Sequence, residues 1–376
     1  MRNSLLPKSL VLLLTVANWL PAVSAGGSET GAQPSSGAGS SPPRLVTDFR
    51  EIKTVVISYD PVLRQHGNVR LSQYLKWNDW RRLTTNLVRH LREVSGGFAR
   101  YRIVEFIEVD AFPRKRDGFC YDETSFLAMW TNRNLAHQPD SVSYADIFRQ
   151  FNLQQRVAQE AIREVWLWGA PYFGADEYAM KIPGDRLFYS TENPWFYRPY
   201  DIPDCGRTVW VMGFNYEVGE DNALHSFGHR CEGILSLTVG QGVCDNQKNP
   251  TNIWNRFTHL AIDFPEDAQV GNVHGGPNGR AGYDYAQTNA VLAAADDWFN
   301  YPNLTGARRL ISCEAWGGPA YHLNYMRWWF DHLPRAPGAT NGIFNNWWRY
   351  VVDYDAAVQE FPPPGGRLQR ATTAMF

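Results

Sequence analysis

The sequence predicts an α/β fold: a mixed, partly parallel sheet of about five strands with flanking helices, then a loop-rich, Trp-rich C-terminal portion. Three observations predict it. Short runs of β-branched and aromatic residues recur along the chain. Between them lie stretches with apolar residues at helical spacing. Strand and helix then alternate, which is the pattern that builds parallel sheets. A (β/α)₈ barrel would need eight strands, so a barrel ranks low.

Residues 1–25 read as a signal peptide. Arg2 and Lys8 supply positive charge, residues 10–20 are mostly apolar, and residues 23–25 (VSA) offer small side chains at a cleavage point. No later apolar run reaches the roughly 18 residues of a membrane span, so a secreted, extracellular protein with no stable membrane insertion is expected. Residues 26–45 are rich in Gly, Ser and Pro and read as a disordered linker. Residues 46–376 remain for a single globular domain, or for two lobes, a core at 46–240 and a loop-rich lobe at 241–376.

Within the domain, residues 53–58 (KTVVIS) form a short β-branched run, hence a buried strand. Residues 79–94 carry Trp80, Leu83, Leu87, Val88 and Leu91 at helical spacing, with Asn78 or Asp79 as cap and Gly96 and Gly97 as stop. Residues 101–109 alternate apolar and polar, a second strand. Residues 144–164 read as one long helix leading into a third strand at 165–169 (VWLWG). Residues 208–216 (TVWVMGFNY) are a fourth strand, 223–237 a helix, and 308–313 (RRLISC) a late fifth strand.

Composition narrows the function. A formal charge of −2 without a basic stripe disfavours nucleic-acid binding. Five cysteines allow at most two disulfides, and Cys205 with Cys244 is the expected pair. Asn303, Leu304 and Thr305 form a glycosylation sequon. The chain holds 15 Trp, 18 Tyr and 20 Phe, which suit either a large core or sugar-stacking platforms.

The chemistry gathers at residues 223–232, ALHSFGHRCE. His225 and His229 are four apart on a predicted helix and so share a face. Nine histidines in 376 residues give roughly 0.2 such pairs by chance. Two imidazoles so placed are the chelating half of the His-Glu-x-x-His zinc signature, but Ser226 stands where that signature has its glutamate. Glu232 is seven residues from His225, about 10.5 Å along a helix, which makes it a poor ligand and a better orienter of His229. His274, in a glycine-flanked loop, is the expected third ligand, with Glu314 as the other candidate. A metal-assisted hydrolase also needs a carboxylate base, and Glu217, Glu220 and Glu314 are the candidates.

A competing reading pairs Glu217 with Glu314 as glycosidase acids. About 5–5.5 Å between them would suit retention and about 6.5–9.5 Å inversion. Asp176 and Glu177 lie in a similar loop, and Trp166, Trp168, Tyr172, Trp195 and Trp316 would build the sugar cleft. A non-catalytic carbohydrate- or surface-binding protein is the third class. Cys313 with a histidine offers a nucleophile without any local signature.

The strings EVWLWGAPYFG (164–174), SFGHR (226–230), GNVH (271–274), DWFNYP (297–302) and NNWWRY (345–350) resemble a family of uncharacterised secreted proteins. The likeness runs over roughly residues 53–353 and carries no catalytic residues with it. Separately, HSFGH (225–229) resembles a zinc-metallopeptidase helix over five residues and departs from it at the base position. The expected function is therefore a secreted metal-dependent hydrolase, peptidase-like. Zinc would sit on His225, His229 and His274, and the substrate would be an extracellular peptide or glycan. Secreted glycan hydrolysis through Glu217 and Glu314 is the alternative.

Overall fold

Five strands build one sheet in the computed structural model, which describes residues 48–187, 200–240, 252–362 and 369–370. They are β1 (Arg50–Tyr59), β2 (Ala99–Val109), β3 (Glu164–Gly169), β4 (Tyr178–Lys181) and β5 (Val209–Asn215), in the order β2-β1-β3-β5-β4. All neighbours run parallel except β4, which is antiparallel to β5. The fold is α/β with a mostly parallel sheet, as predicted. One register row, Phe106–Val56–Trp166–Met212–Tyr178, crosses all five strands. Strands covered on both faces read as continuous apolar runs, and Val55, Val56 and Ile57 are accordingly fully buried.

The fourth predicted strand and the first three fall in this sheet. The fifth does not. Arg309–Ile311 pairs instead with Val291–Ala293 in a separate two-stranded ribbon. The true fifth member, β4, is four residues long and too short to show a period. The predicted helix at 144–164 is also two helices, Tyr144–Gln150 and Leu153–Glu160. Asn152 between them takes the left-handed conformation (φ 50°), which asparagine tolerates, and Glu164 already belongs to β3.

Helix α1 (Trp80–Val94) links β1 to β2. The Asp79 side chain caps it, accepting from the Arg81 and Arg82 amides, and its stripe of Trp80, Leu83, Leu87, Leu91 and Val94 is buried. Helix α2 (Glu220–Thr238) follows β5 and is buried nearly all round. It is covered by the sheet on one side and by α3 (Tyr321–Asp331) and Trp348–Val352 on the other. Arg230 of α2 is fully buried and joined to Glu164 of β3 at 2.7 Å, which pins α2 to the sheet.

The aromatic C-terminal portion is core. Trp254, Trp298, Trp329, Trp347 and Trp348 are fully buried, and Trp298 and Trp347 touch with ring centroids 5.7 Å apart. Residues Val46–Phe376 form one compact unit. The predicted signal peptide and linker lie outside the described residues. No described helix is long and apolar enough to cross a membrane. The expected Cys205 bridge is not formed. Cys205 is a buried free thiol whose Sγ donates to the Pro203 carbonyl at 3.3 Å, and Cys244 lies outside the described residues.

Candidate metal centre

Three imidazoles converge beside the carboxyl end of the sheet. His225 and His229 sit one turn apart on α2, ring centroids 4.7 Å apart. His274 comes from the loop that follows Gly271, with its centroid 5.2 Å from that of His225 and 4.8 Å from that of His229. One ring nitrogen from each lies within 4.8 Å of the others. Tetrahedral zinc with bonds near 2.05 Å holds its nitrogens about 3.3 Å apart, so ring rotations of about an ångström close the set.

The loop carrying His274 is glycine-flanked in sequence yet firmly held. The Val273 amide donates to Glu232 Oε1 at 2.9 Å, and the Tyr285 hydroxyl donates to the Val273 carbonyl at 2.8 Å. The Tyr325 hydroxyl of α3 lies 2.6 and 2.8 Å from the Asn272 and Gly275 carbonyls and shares its one proton between them, and Trp329 Nε1 donates to the Gly271 carbonyl at 3.0 Å. Gly228 permits this approach. A Cβ there would lie 2.5 Å from Val273 Cγ1 and 3.0 Å from Met326 Cε.

The other ring nitrogens of His225 and His229 are committed. His229 Nδ1 lies 2.9 Å from Glu232 Oε2, so Glu232 orients His229 as the sequence predicts. His225 Nδ1 lies 3.3 Å from both the Tyr285 hydroxyl and His322 Nε2, and His322 Nδ1 is 2.9 Å from Asp221 Oδ2. Burial, and then the neighbouring His229, His322 and His274, push His225 down to a pKa of about 2. His274 is lowered chiefly by burial, against the pull of Glu232. Burial pushes the Asp221 carboxyl up, but the His322 hydrogen bond and charge outweigh it and leave the group lowered. His225 and His274 are thus held neutral, the form that donates a lone pair to a metal. The donor set fits zinc.

A carboxylate stands on the open side. Glu177 Oε2 is 3.7 Å from His229 Nε2, and the Ser226 hydroxyl donates to Glu177 Oε1 at 3.3 Å. The Gly213 amide donates to the Glu177 carbonyl at 3.1 Å, and a Cβ at Gly213 would lie only 2.3 Å from the Asp176 carbonyl oxygen. Only glycine in β5 lets this segment come so close. Tyr283, half exposed and left-handed at φ 66°, stacks on His225 at 5.5 Å and lies 5.1 Å from His274.

Of the predicted site residues, the structure brings together His225, His229 and His274. Glu217 is half-buried, its pKa raised by burial against Arg133 and an Asn215 hydrogen bond. Glu220 pairs with His90 at 3.6 Å. Glu314 is exposed on the turn Cys313–Ala315, its amide donating to Ser312 Oγ. No described hydrogen bond or ion pair ties Glu217, Glu220 or Glu314 to the three ligands. Trp166, Trp168 and Trp316 are buried, so they are not sugar platforms; Trp195 lies outside the described residues. Sequence reasoning named Glu177 only as a loop acid, and missed Asp221, His322, Tyr283 and Tyr285. Asp221 lies four residues before His225, a helical spacing that could have found it, whereas His322, Tyr283 and Tyr285 have no spacing to His225 that a linear pattern reveals. No protein-family model, curated protein or solved structure matches the chain.

Proposed function

We propose that the protein is a secreted metal-dependent hydrolase, peptidase-like, with His225, His229 and His274 holding a divalent ion, zinc by the chemistry of an all-imidazole set. One observation carries the reading: three half-buried or buried imidazoles whose donor nitrogens lie within 4.8 Å of one another. When bound, the ion would supply Lewis acidity to a substrate carbonyl and acidify a water.

The chain's own residues supply the rest. Glu177 is the base: its carboxylate lies beside His229 Nε2, faces solvent, and takes up the proton of the attacking water. Ser226 holds that carboxylate in place through its 3.3 Å hydrogen bond. Glu232 holds His229, and Tyr283 walls the open side against His225 and His274. The leader read at residues 1–25 supports an extracellular substrate.

The test is metal analysis by mass spectrometry of protein purified without added metal, with His225→Ala and His274→Ala alongside. The expected result is near one zinc per wild-type chain and none in either variant. A wild type that holds no stoichiometric divalent ion, and takes none up on dialysis against zinc, would overturn the reading.

A further inference from the structure

We propose that Asp221 and His322 form a positioning pair for His225, fixing the tautomer in which its Nε2 offers a lone pair to the histidine centre. The inference rests on proton accounting. The Tyr285 hydroxyl has one proton, and it is given to the Val273 carbonyl at 2.8 Å. Toward His225 Nδ1, at 3.3 Å, Tyr285 is therefore an acceptor. His322 Nδ1 faces Asp221 Oδ2 at 2.9 Å, and a carboxylate only accepts, so the His322 proton sits on Nδ1. In the neutral ring, His322 Nε2 is then a bare lone pair, and it too faces His225 Nδ1 at 3.3 Å. Both neighbours of His225 Nδ1 are acceptors. The proton of His225 belongs on Nδ1, shared between them, and Nε2 is left free.

The packing keeps the chain of bonds in line. His322 stacks on Tyr285 with centroids 4.6 Å apart and planes 8° apart. Tyr285 in turn stacks on Tyr325, the residue that clamps the His274 loop. Asp221 lies in the first turn of α2, the helix that carries His225 itself, whereas His322 comes from α3. The pair therefore ties the orientation of one ligand to the docking of α3. His229 has its carboxylate directly, in Glu232; His225 has its own at one remove, through a second imidazole. Outer-shell partners of this kind set ring orientation and ligand basicity.

This inference presupposes the metal-centre reading for its purpose but not for its test. Long-range proton–nitrogen NMR on the metal-free protein at neutral pH reads the tautomers directly. The expected result is an Nδ1–H tautomer for His225 and His322 in wild type. In Asp221→Asn the amide can donate as well as accept, so the fixed preference is lost and both rings are expected to populate Nε2–H as well. Finding His225 as Nε2–H in the wild type would overturn the proposal even if the protein binds no metal. Zinc competition against a chromophoric chelator is the second arm. Asp221→Asn and His322→Ala are expected to weaken zinc about 10- to 100-fold. His322→Gln, able to accept from His225 and donate to Asp221, is expected to stay within about threefold of wild type. Wild-type zinc affinity in both Asp221→Asn and His322→Ala would also overturn it. Equal loss in His322→Ala and His322→Gln would mean that the hydrogen bonding of this position is not what matters, and would likewise overturn it.

Discussion

Ser226 donates a hydrogen bond of 3.3 Å to Glu177, a residue 49 positions upstream. The two divide a task that a His-Glu-x-x-His helix gives to one side chain. The helix contributes a short hydroxyl and the segment entering β4 contributes the carboxylate. Gly213 makes the exchange feasible, because any side chain there would collide with the Asp176 carbonyl.

The base is thus placed by tertiary contact. Glu177→Gln is expected to lower kcat by at least about 100-fold, the scale of a lost general base, while zinc content stays at the wild-type level. Ser226→Ala loses only an anchor, and its expected cost is about tenfold or less. Cleavage of a peptide library, followed by mass spectrometry, supplies the substrate and then the rates. Undiminished turnover in Glu177→Gln would remove Glu177 from the mechanism.

Gly228 offers an independent test of the third ligand. Alanine at this helix site gains about 1 kcal/mol in propensity. Its Cβ, however, would meet Val273 Cγ1 at 2.5 Å and Met326 Cε at 3.0 Å. Overpacking of this kind costs about 1–3 kcal/mol. The net expectation is a modest fall in stability, about 1 kcal/mol, with a larger fall in zinc affinity because the strain falls on the loop that carries His274. Urea unfolding and chelator competition on the same sample separate the two effects. An unchanged zinc affinity would show that the loop adapts without moving its histidine.

The legible part of this protein is the part written in local periodicity. The runs VVIS, VWLW and VWVM form β1, β3 and β5, and the i, i+4 histidines share a face because α2 is where the spacing puts it. His274 was legible only as a histidine in a glycine-rich loop. Its place is fixed by Glu232, Tyr285, Tyr325 and Trp329, contacts that span 12 to 58 residues of sequence. β4 escaped notice because four residues are too few for a period, and with it went the significance of Glu177 at its start. The strand pattern at 308–313 misled for the converse reason: a local β signal does not say which sheet it joins.

The pH dependence of stability follows from the buried imidazoles. An unfolded histidine takes up its proton near pH 6.5. Burial and three neighbouring histidines hold folded His225 at about 2. Between those two values the unfolded chain carries the extra proton, so stability falls as pH falls, and above about pH 7 this contribution is flat. For His225 alone the slope approaches about 1.4 kcal/mol per pH unit below pH 6. His274, also lowered, steepens it. Urea titrations of metal-free protein at pH 8, 6 and 5 are expected to show this loss, and His225→Asn to show a shallower one. Identical slopes in the two proteins would mean that His225 is charged or exposed in the folded state.

The pair beneath the centre carries the largest expected penalty. Arg230 and Glu164 have side chains 0% and 1% exposed, and they meet at 2.7 Å. Glu164 also accepts from Tyr101 at 3.1 Å and from Trp166 Nε1 at 2.8 Å, while Arg230 donates to the Val351 carbonyl at 2.6 Å. The guanidinium lies over Trp210 at 4.2 Å, yet its Nε and Nη1 have no hydrogen-bond acceptor among the described residues. The cation is therefore held by one carboxylate, the Val351 carbonyl and aromatic faces. Arg230→Met leaves that carboxylate buried without its counter-charge, and the expected loss is about 3–5 kcal/mol. Adding Glu164→Gln removes the orphaned charge while keeping an acceptor for Tyr101 and Trp166. The double variant should recover about half of that loss, a coupling that a double-mutant cycle in urea reads directly. Additive losses would show that the two side chains stabilise the fold separately. A recovered fold that still binds zinc weakly would show that Arg230, adjacent to His229 on α2, also sets the register of the metal-binding face.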